Sequence, residues 1–325
     1  MIPIRDTVPT KHYPLVNVTL IVINVVVFLL EPSRLADLQE FVFHYGLVPA
    51  RYTVEAIAER YTFFQQAFSL LSFMFVHGGF WHLLGNMWFL YIFGDNVEDR
   101  LGPLRYLGFY LLCGISSGLL HGILNLHSTV PTVGASGAIA GVMGAYFILY
   151  PRSRVLTFVP LIIIPYFFEI PAAFFLALWF VIQFVSAFFG GAMGGGGVAW
   201  WAHVGGFVFG IVLILLSGAR SGGWKGDPLG RVVTRRKTPR LHVVRPSRGG
   251  NGGLDVYGTI VITPAEARRG AKKLVNIPAG FQRRIFNVSI PPGVASGVTL
   301  RLAGAGGKDE EGRRGDAFLK VTVRE

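Results

Sequence analysis

"TVGASGAIAGVMGAY", residues 132–146, decides how this chain is read. It has no charged side chain, and Gly134, Gly137, Gly141 and Gly144 stand among apolar residues with one serine, Ser136. Small residues at such spacings let membrane helices pack backbone against backbone. The serine is then either incidental to that packing or placed there to react.

Composition favours a membrane. Of 325 residues, 52% are hydrophobic and only 15% charged, with 27 Phe, whereas soluble domains carry about 25% charged residues. The charge is unevenly placed. Residues 1–217 hold nine Lys/Arg against ten Asp/Glu, and residues 218–325 hold 21 against eight. A nearly neutral apolar body therefore precedes a strongly basic tail. The lone Cys113 excludes an intrachain disulfide and a cysteine-cluster metal site, and reads as a small buried filler.

A membrane-spanning helix needs about 20 mostly apolar residues. Six candidates follow, at 14–30, 68–93, 104–124, 135–150, 171–189 and 198–217. The first ends in "EPSR" without a small-residue cleavage site, so it reads as a span and not as a cleaved leader. Pro165, Glu169 and Pro171 interrupt the apolar run after 155, so 155–170 is expected to be an interfacial connection. Arg5, Lys11, Arg100, Arg105, Arg152, Arg154 and the basic tail fall on one set of loops, while 125–133 and 190–197 on the other carry no charge. The positive-inside rule then puts both termini in the cytoplasm. The remaining loop, 31–67, mixes apolar and charged residues and reads as amphipathic and interfacial.

Polar groups inside spans are costly and usually functional. His77, His82 and Asn86 lie on the second span, Ser136 on the fourth and His203 on the sixth. Ser136 and His203 each lie 15 residues from the inner end of their span, which is roughly 22 Å of helix rise. His82, 13 residues from Asp95, comes to about 20 Å, with Asn86 one turn deeper. A serine needs a neighbouring base before it becomes nucleophilic, and His203 is suited to that task. The oxyanion formed by attack needs donors, which Asn86, His82 and the Ser136 N–H can supply. No carboxylate is placed to orient His203, so the expectation is a dyad. Gly206 and Gly210, with the glycines of the fourth span, would let the two backbones approach.

With these residues assembled, the first 217 positions resemble the rhomboid intramembrane serine proteases. The resemblance runs through "HGGFWHLLGNMWFLYIFGDNVEDRLG" (77–102), "GASG" (134–137) and "AHVGGFVFG" (202–210). It implies an all-α six-helix transmembrane bundle that hydrolyses peptide bonds in or near substrate transmembrane helices. Ser136 would be the nucleophile, His203 the base, Asn86 and His82 oxyanion-side residues, and His77 an outer histidine near the water access. Gly134, Gly137 and Gly206 would support the site. Glu98 and Arg100 would be structural, at the cytoplasmic end of the second helix. The resemblance implies no metal and no cofactor, a bacterial-type inner membrane, and entry gated by the fifth span and the loop at 190–197. The Gly-x-Ser-x-Gly elbow of soluble hydrolases is not matched, because residue 138 is Ala. A non-catalytic membrane adaptor that binds transmembrane helices is the alternative, and the complete Ser136 and His203 pair argues against it.

Residues 218–253 are rich in Gly, Pro, Arg and Lys and read as a basic cytoplasmic linker that anionic headgroups would attract. From 254 to 325 short alternating segments, "VYGTIVI", "KKLVNIP", "RRIFNVSIP", "VTLRLAG" and "AFLKVTV", predict a small all-β sandwich or barrel. "IPPGV", "RLAGAG" and "GDAFLKV" make this region similar to the C-terminal peptide-binding domain of DnaJ-type co-chaperones. That resemblance implies unfolded or extended peptides as partners, taken up by strand addition. It does not extend to ATPase stimulation, since neither a His-Pro-Asp loop nor a Cys-rich zinc module is present. The alternative is an appendage that mediates self-association into a homo-oligomer. Nucleic acid is not an expected partner, because the cations are scattered and lack interleaved aromatics.

Overall fold

Proline and glycine punctuate the apolar runs of the chain, and the elements begin and end at them. The computed structural model describes residues 1–10, 12–161, 164–189, 199–219, 241–243, 254–279, 282–307 and 313–324. In chain order the first elements are β1 (Ile2–Asp6), α1 (Leu15–Leu30), α2 (Leu35–Tyr45), α3 (Ala50–Thr53), α4 (Glu55–Ala58) and α5 (Phe63–Ser72). Then come α6 (Phe80–Leu101), α7 (Pro103–Leu124), α8 (Ser136–Leu149), β2 (Arg154–Leu161), β3 (Ile164–Pro171), α9 (Ala172–Phe189) and α10 (Trp200–Leu216). The C-terminal elements are β4 (Leu241–Val243), β5 (Val256–Ile262), α11 (Pro264–Arg269), β6 (Ala271–Ala279), β7 (Gln282–Ile290), β8 (Thr299–Leu302) and β9 (Ala317–Val323). They fall into two compact units: Pro14–Pro151 with Ala172–Val233, and Met1–Tyr13 with Arg152–Pro171 and Thr234–Glu325.

In the helical unit, the expected second span is two helices. The turn at 73–79 separates α5 from α6, with Gly78 at φ +61°. A capping box starts α5, Thr62 and Gln65 exchanging side-chain and backbone hydrogen bonds. Gly102 at φ +82° ends α6, and Pro103 opens α7 at a position where its missing N–H costs nothing. Among the described residues two helices, α7 and α9, are long and apolar enough to cross a membrane, against the six spans expected. The apolar helices α1, α8 and α10 have 16, 14 and 17 residues, so they rise about 21–26 Å, less than a hydrocarbon core of about 30 Å. The 22 residues of α6 end in a charged stretch with Asp95, Glu98, Asp99 and Arg100.

Helix α8 is buried continuously from Gly137 to Tyr146 and packs against α6, α7, α9 and α10. Its closest neighbour is α10. A Cβ on Gly206 would collide with the Gly137 carbonyl, one on Gly210 with the Gly141 carbonyl, and one on Gly144 with the Phe207 carbonyl. Glycine at these positions is what allows two backbones to touch.

In the other unit, the stretch expected as an interfacial connection is a hairpin. Strands β2 and β3 pair antiparallel from Arg154↔Pro171 to Leu161↔Ile164, and β1 adds to β2 to give the order β1-β2-β3. Its β-branched and aromatic residues suit a pleated surface better than a helix. The C-terminal strands form two three-stranded sheets, β4-β6-β7 and β5-β9-β8. Alternate residues, Ile260 and Ile262, Val275 and Ile277, Val288 and Ile290, Leu319 and Val321, bury into one shared core, the period of two that strands impose. The five expected strand segments correspond to β5 through β9, while α11 was not anticipated; its Thr263–Glu266 capping box is the signal that marks it. Most of the 218–253 linker and the loop at 190–197 lie outside the described residues.

Candidate active site

Ser136 opens α8, so its backbone N–H belongs to the first helical turn, whose N–H groups have no carbonyl partner within the helix. The chain enters this turn through Gly134 at φ +116°, where a side chain would also strike the His82 ring. Backbone conformation and close approach both require glycine there.

From this position Ser136 Oγ lies 2.7 Å from His203 Nε2 on α10. His203 Nδ1 lies 2.7 Å from Gln183 Oε1 on α9. An amide oxygen only accepts, so Nδ1 carries the ring proton and Nε2 offers its lone pair to the serine hydroxyl. Trp179, one turn before Gln183, lies over the same imidazole with centroids 5.9 Å apart, and Trp200 meets it edge-on at 6.1 Å.

The facing wall comes from α6. His82 Nδ1 donates to the His77 carbonyl at 2.7 Å, so a neutral His82 presents Nε2 as an acceptor. Asn86, one turn further on, is 9% exposed, and its Nδ2 has no hydrogen-bond partner among the described residues. His77 stands behind His82, buried, its Nδ1 donating to the Phe75 carbonyl at 3.1 Å. The His77 and Gly78 N–H groups donate to the Glu31 carboxylate at 2.7 and 3.0 Å. Burial raises the Glu31 carboxyl above its ordinary value, and those two donors partly oppose the shift.

A cavity of about 240 Å³ joins these groups. His82, Asn86, Ser136, Gln183 and His203 form its polar wall, with Trp81, Ile139 and Met143 on the apolar side. Each water occupies about 30 Å³ in the liquid, so a few fit beside a reacting group. Of the residues expected from sequence, Ser136, His203, His82 and Asn86 meet in this cavity, with His77 behind them and Gly134 beside the His82 ring. Gly137 and Gly206 form the close contact between α8 and α10. Glu98 and Arg100 do not join them. Glu98 accepts the N–H groups of Val16 and Asn17 at 3.0 and 2.7 Å, at the start of α1, and Arg100 Nε donates to the Ala219 carbonyl at 2.7 Å. Gln183 and Trp179 were not anticipated. The signal for Gln183 was available: it is the one amide in an 18-residue apolar helix, and polar groups there call for a reason.

Residues 65–220 match the family model for the Rhomboid domain. That stretch, just under half of the chain, resembles a rhomboid domain. Residues 256–325 match the DnaJ C terminal domain. Over 148 residues the chain is 30% identical to "Rhomboid protein 1, mitochondrial" of Saccharomyces cerevisiae, a match covering 44% of this chain and 40% of that protein. It is 35% identical over 147 residues to "Rhomboid-like protease 5" of Toxoplasma gondii, covering 43% and 15%. With "Rhomboid protease GlpG" of Haemophilus influenzae it shares 26% over 144 residues, covering 44% and 65%. The chain thus spans less than half the length of the yeast relative. Every residue lining the cavity falls inside the rhomboid domain, whereas Glu31 precedes it. The rhomboid family is membrane-embedded, and among the described residues of this chain α7 and α9 are long and apolar enough to cross a membrane. The yeast relative is named as mitochondrial, whereas the Haemophilus influenzae relative is bacterial.

Proposed function

We propose that the rhomboid domain is an intramembrane serine endopeptidase acting on transmembrane protein substrates. The observation that carries this reading is the 2.7 Å contact between Ser136 Oγ and His203 Nε2, inside a cavity lined also by Asn86, whose Nδ2 has no hydrogen-bond partner among the described residues. In this reading Ser136 Oγ attacks the carbonyl carbon of a peptide bond while its proton passes to His203 Nε2. Asn86 Nδ2 and the Ser136 N–H receive the developing oxyanion. Collapse of the tetrahedral intermediate expels the amine, which takes the proton from His203. Water, deprotonated by the same nitrogen, then cleaves the acyl ester. His82 contributes a donor at Nε2 only when its ring carries a second proton; as a neutral ring it orients water or substrate as an acceptor.

The bundle in this reading is α1, α6, α7, α8, α9 and α10, with both termini on the cytoplasmic side. The DnaJ C-terminal-like domain would bind extended peptides, and Tyr257 and Phe318, stacked at 5.3 Å with Tyr257 exposed, give it an apolar patch. The test of the protease reading is Ser136→Ala in the purified full chain with a transmembrane reporter. Cleavage is expected to fall by about 10³-fold or more, and labelling by a fluorophosphonate to disappear. A wild type that neither cleaves nor labels, yet retains a bound transmembrane segment, returns the adaptor reading.

A further inference from the structure

We propose that Gln183 is a positioning residue that orients His203 within the Ser136–His203 dyad from the far side of the ring. This rests on the protease reading above and deepens it. The Gln183 amide is 7% exposed and its Oε1 faces His203 Nδ1 at 2.7 Å. With Oε1 turned to that nitrogen, the amide favours the tautomer that carries its proton on Nδ1. A neutral imidazole with its proton on Nε2 cannot accept from a serine hydroxyl; one with its proton on Nδ1 can. Gln183 selects the second.

Chemistry explains why an amide suits the place. The surrounding helix, "AAFFLALWFVIQFVSAFF", has no ionisable residue. An ionised carboxylate buried there would carry a large desolvation penalty, whereas an amide orients the ring without a charge. It gives up the electrostatic stabilisation of the imidazolium that a carboxylate would provide, and retains orientation. Trp179 and Gln183 are spaced i, i+4 on α9, on one helix face. One therefore covers the ring and the other holds its edge, so a single helix fixes both tilt and rotation of the imidazole.

The test compares wild type, Gln183→Met, Gln183→Glu and Ser136→Ala as full chains, measuring kcat, KM, fluorophosphonate labelling rate and thermal midpoint. Methionine keeps the length and removes the acceptor; glutamate keeps an acceptor oxygen in the same shape. Gln183→Met is expected to lower kcat and the labelling rate by roughly 10- to 100-fold, with KM and midpoint unchanged, and Gln183→Glu to recover most of the rate at a lowered midpoint, since it buries a carboxyl. Wild-type kcat in Gln183→Met overturns the assignment. So does an equal loss of rate in both variants with the midpoint of Gln183→Met lowered as well, which marks a packing role. Wild type as inactive as Ser136→Ala would instead sink the protease reading, an outcome separate from either.

Discussion

The Asp316 carboxylate accepts the Gly304 N–H at 2.8 Å and the Arg301 guanidinium at 2.6 Å, and those two partners, the N–H first, hold it below the usual Asp range. A carboxyl lowered in the native state contributes its stabilisation above its unfolded value, near 3.9, and loses it as pH falls through the lower native value. Asp316→Asn is therefore expected to unfold at lower temperature than wild type near neutral pH, with the gap closing toward about pH 2. Melting both proteins across that range checks it, and a gap that persists in acid counts against the link. At this scale the sequence was most readable where a polar residue interrupts an apolar run, which is how Ser136, His203 and Asn86 stood out. Gln183 meets the same criterion, as the one amide of an apolar helix. Depth along one helix does not reveal that its partner, His203, lies 20 residues further along on another.

Between elements, the seam of α8 and α10 sets the geometry of the serine and the histidine, because Gly137 follows Ser136 and Gly206 lies one turn beyond His203. Gly206→Ala drives a methyl into the Gly137 backbone carbonyl, which is not the flexible end of any side chain. Overpacking of this kind costs about 1–3 kcal/mol, and the helices can relieve it only by parting. The expected outcome is a lowered thermal midpoint together with lost cleavage and serine labelling. Gly108→Ala on α7, where an added Cβ meets nothing within 4 Å, is the control and should leave both intact. If the two alanine variants behave alike, the seam is not what positions the pair. The glycine spacing made this contact legible in advance. The division of the expected second span was not, because the turn at 73–79 is held in part by Glu31, more than 40 residues earlier. Hydropathy also hid the β2–β3 hairpin, whose partner strand β1 comes from the other end of the chain's first half.

Over the whole molecule, charge separates the chain near residue 217, but the compact units do not follow that boundary, since 1–13 and 152–171 cluster with 234–325. Charge reports which side of a membrane a segment prefers; clustering reports which strands pair, and composition carries the first far better than the second. The charge pattern predicts that the loop between α7 and α8 and the C-terminal strands lie on opposite faces. The single cysteine, Cys113, is buried, so Cys113→Ala makes a clean background for His127→Cys and Ser289→Cys. An impermeant maleimide on intact cells should label only the first, and both only after lysis. Labelling of both from outside would refute the topology. The brevity of α8 has a consequence for specificity on the protease reading. Ser136 heads a helix of 14 residues, about 21 Å tall, in a layer about 30 Å thick. The helix thus works as a depth gauge. A substrate segment is read by the height at which it presents each bond, counted from the face that holds Tyr150, before any side chain of its own is consulted.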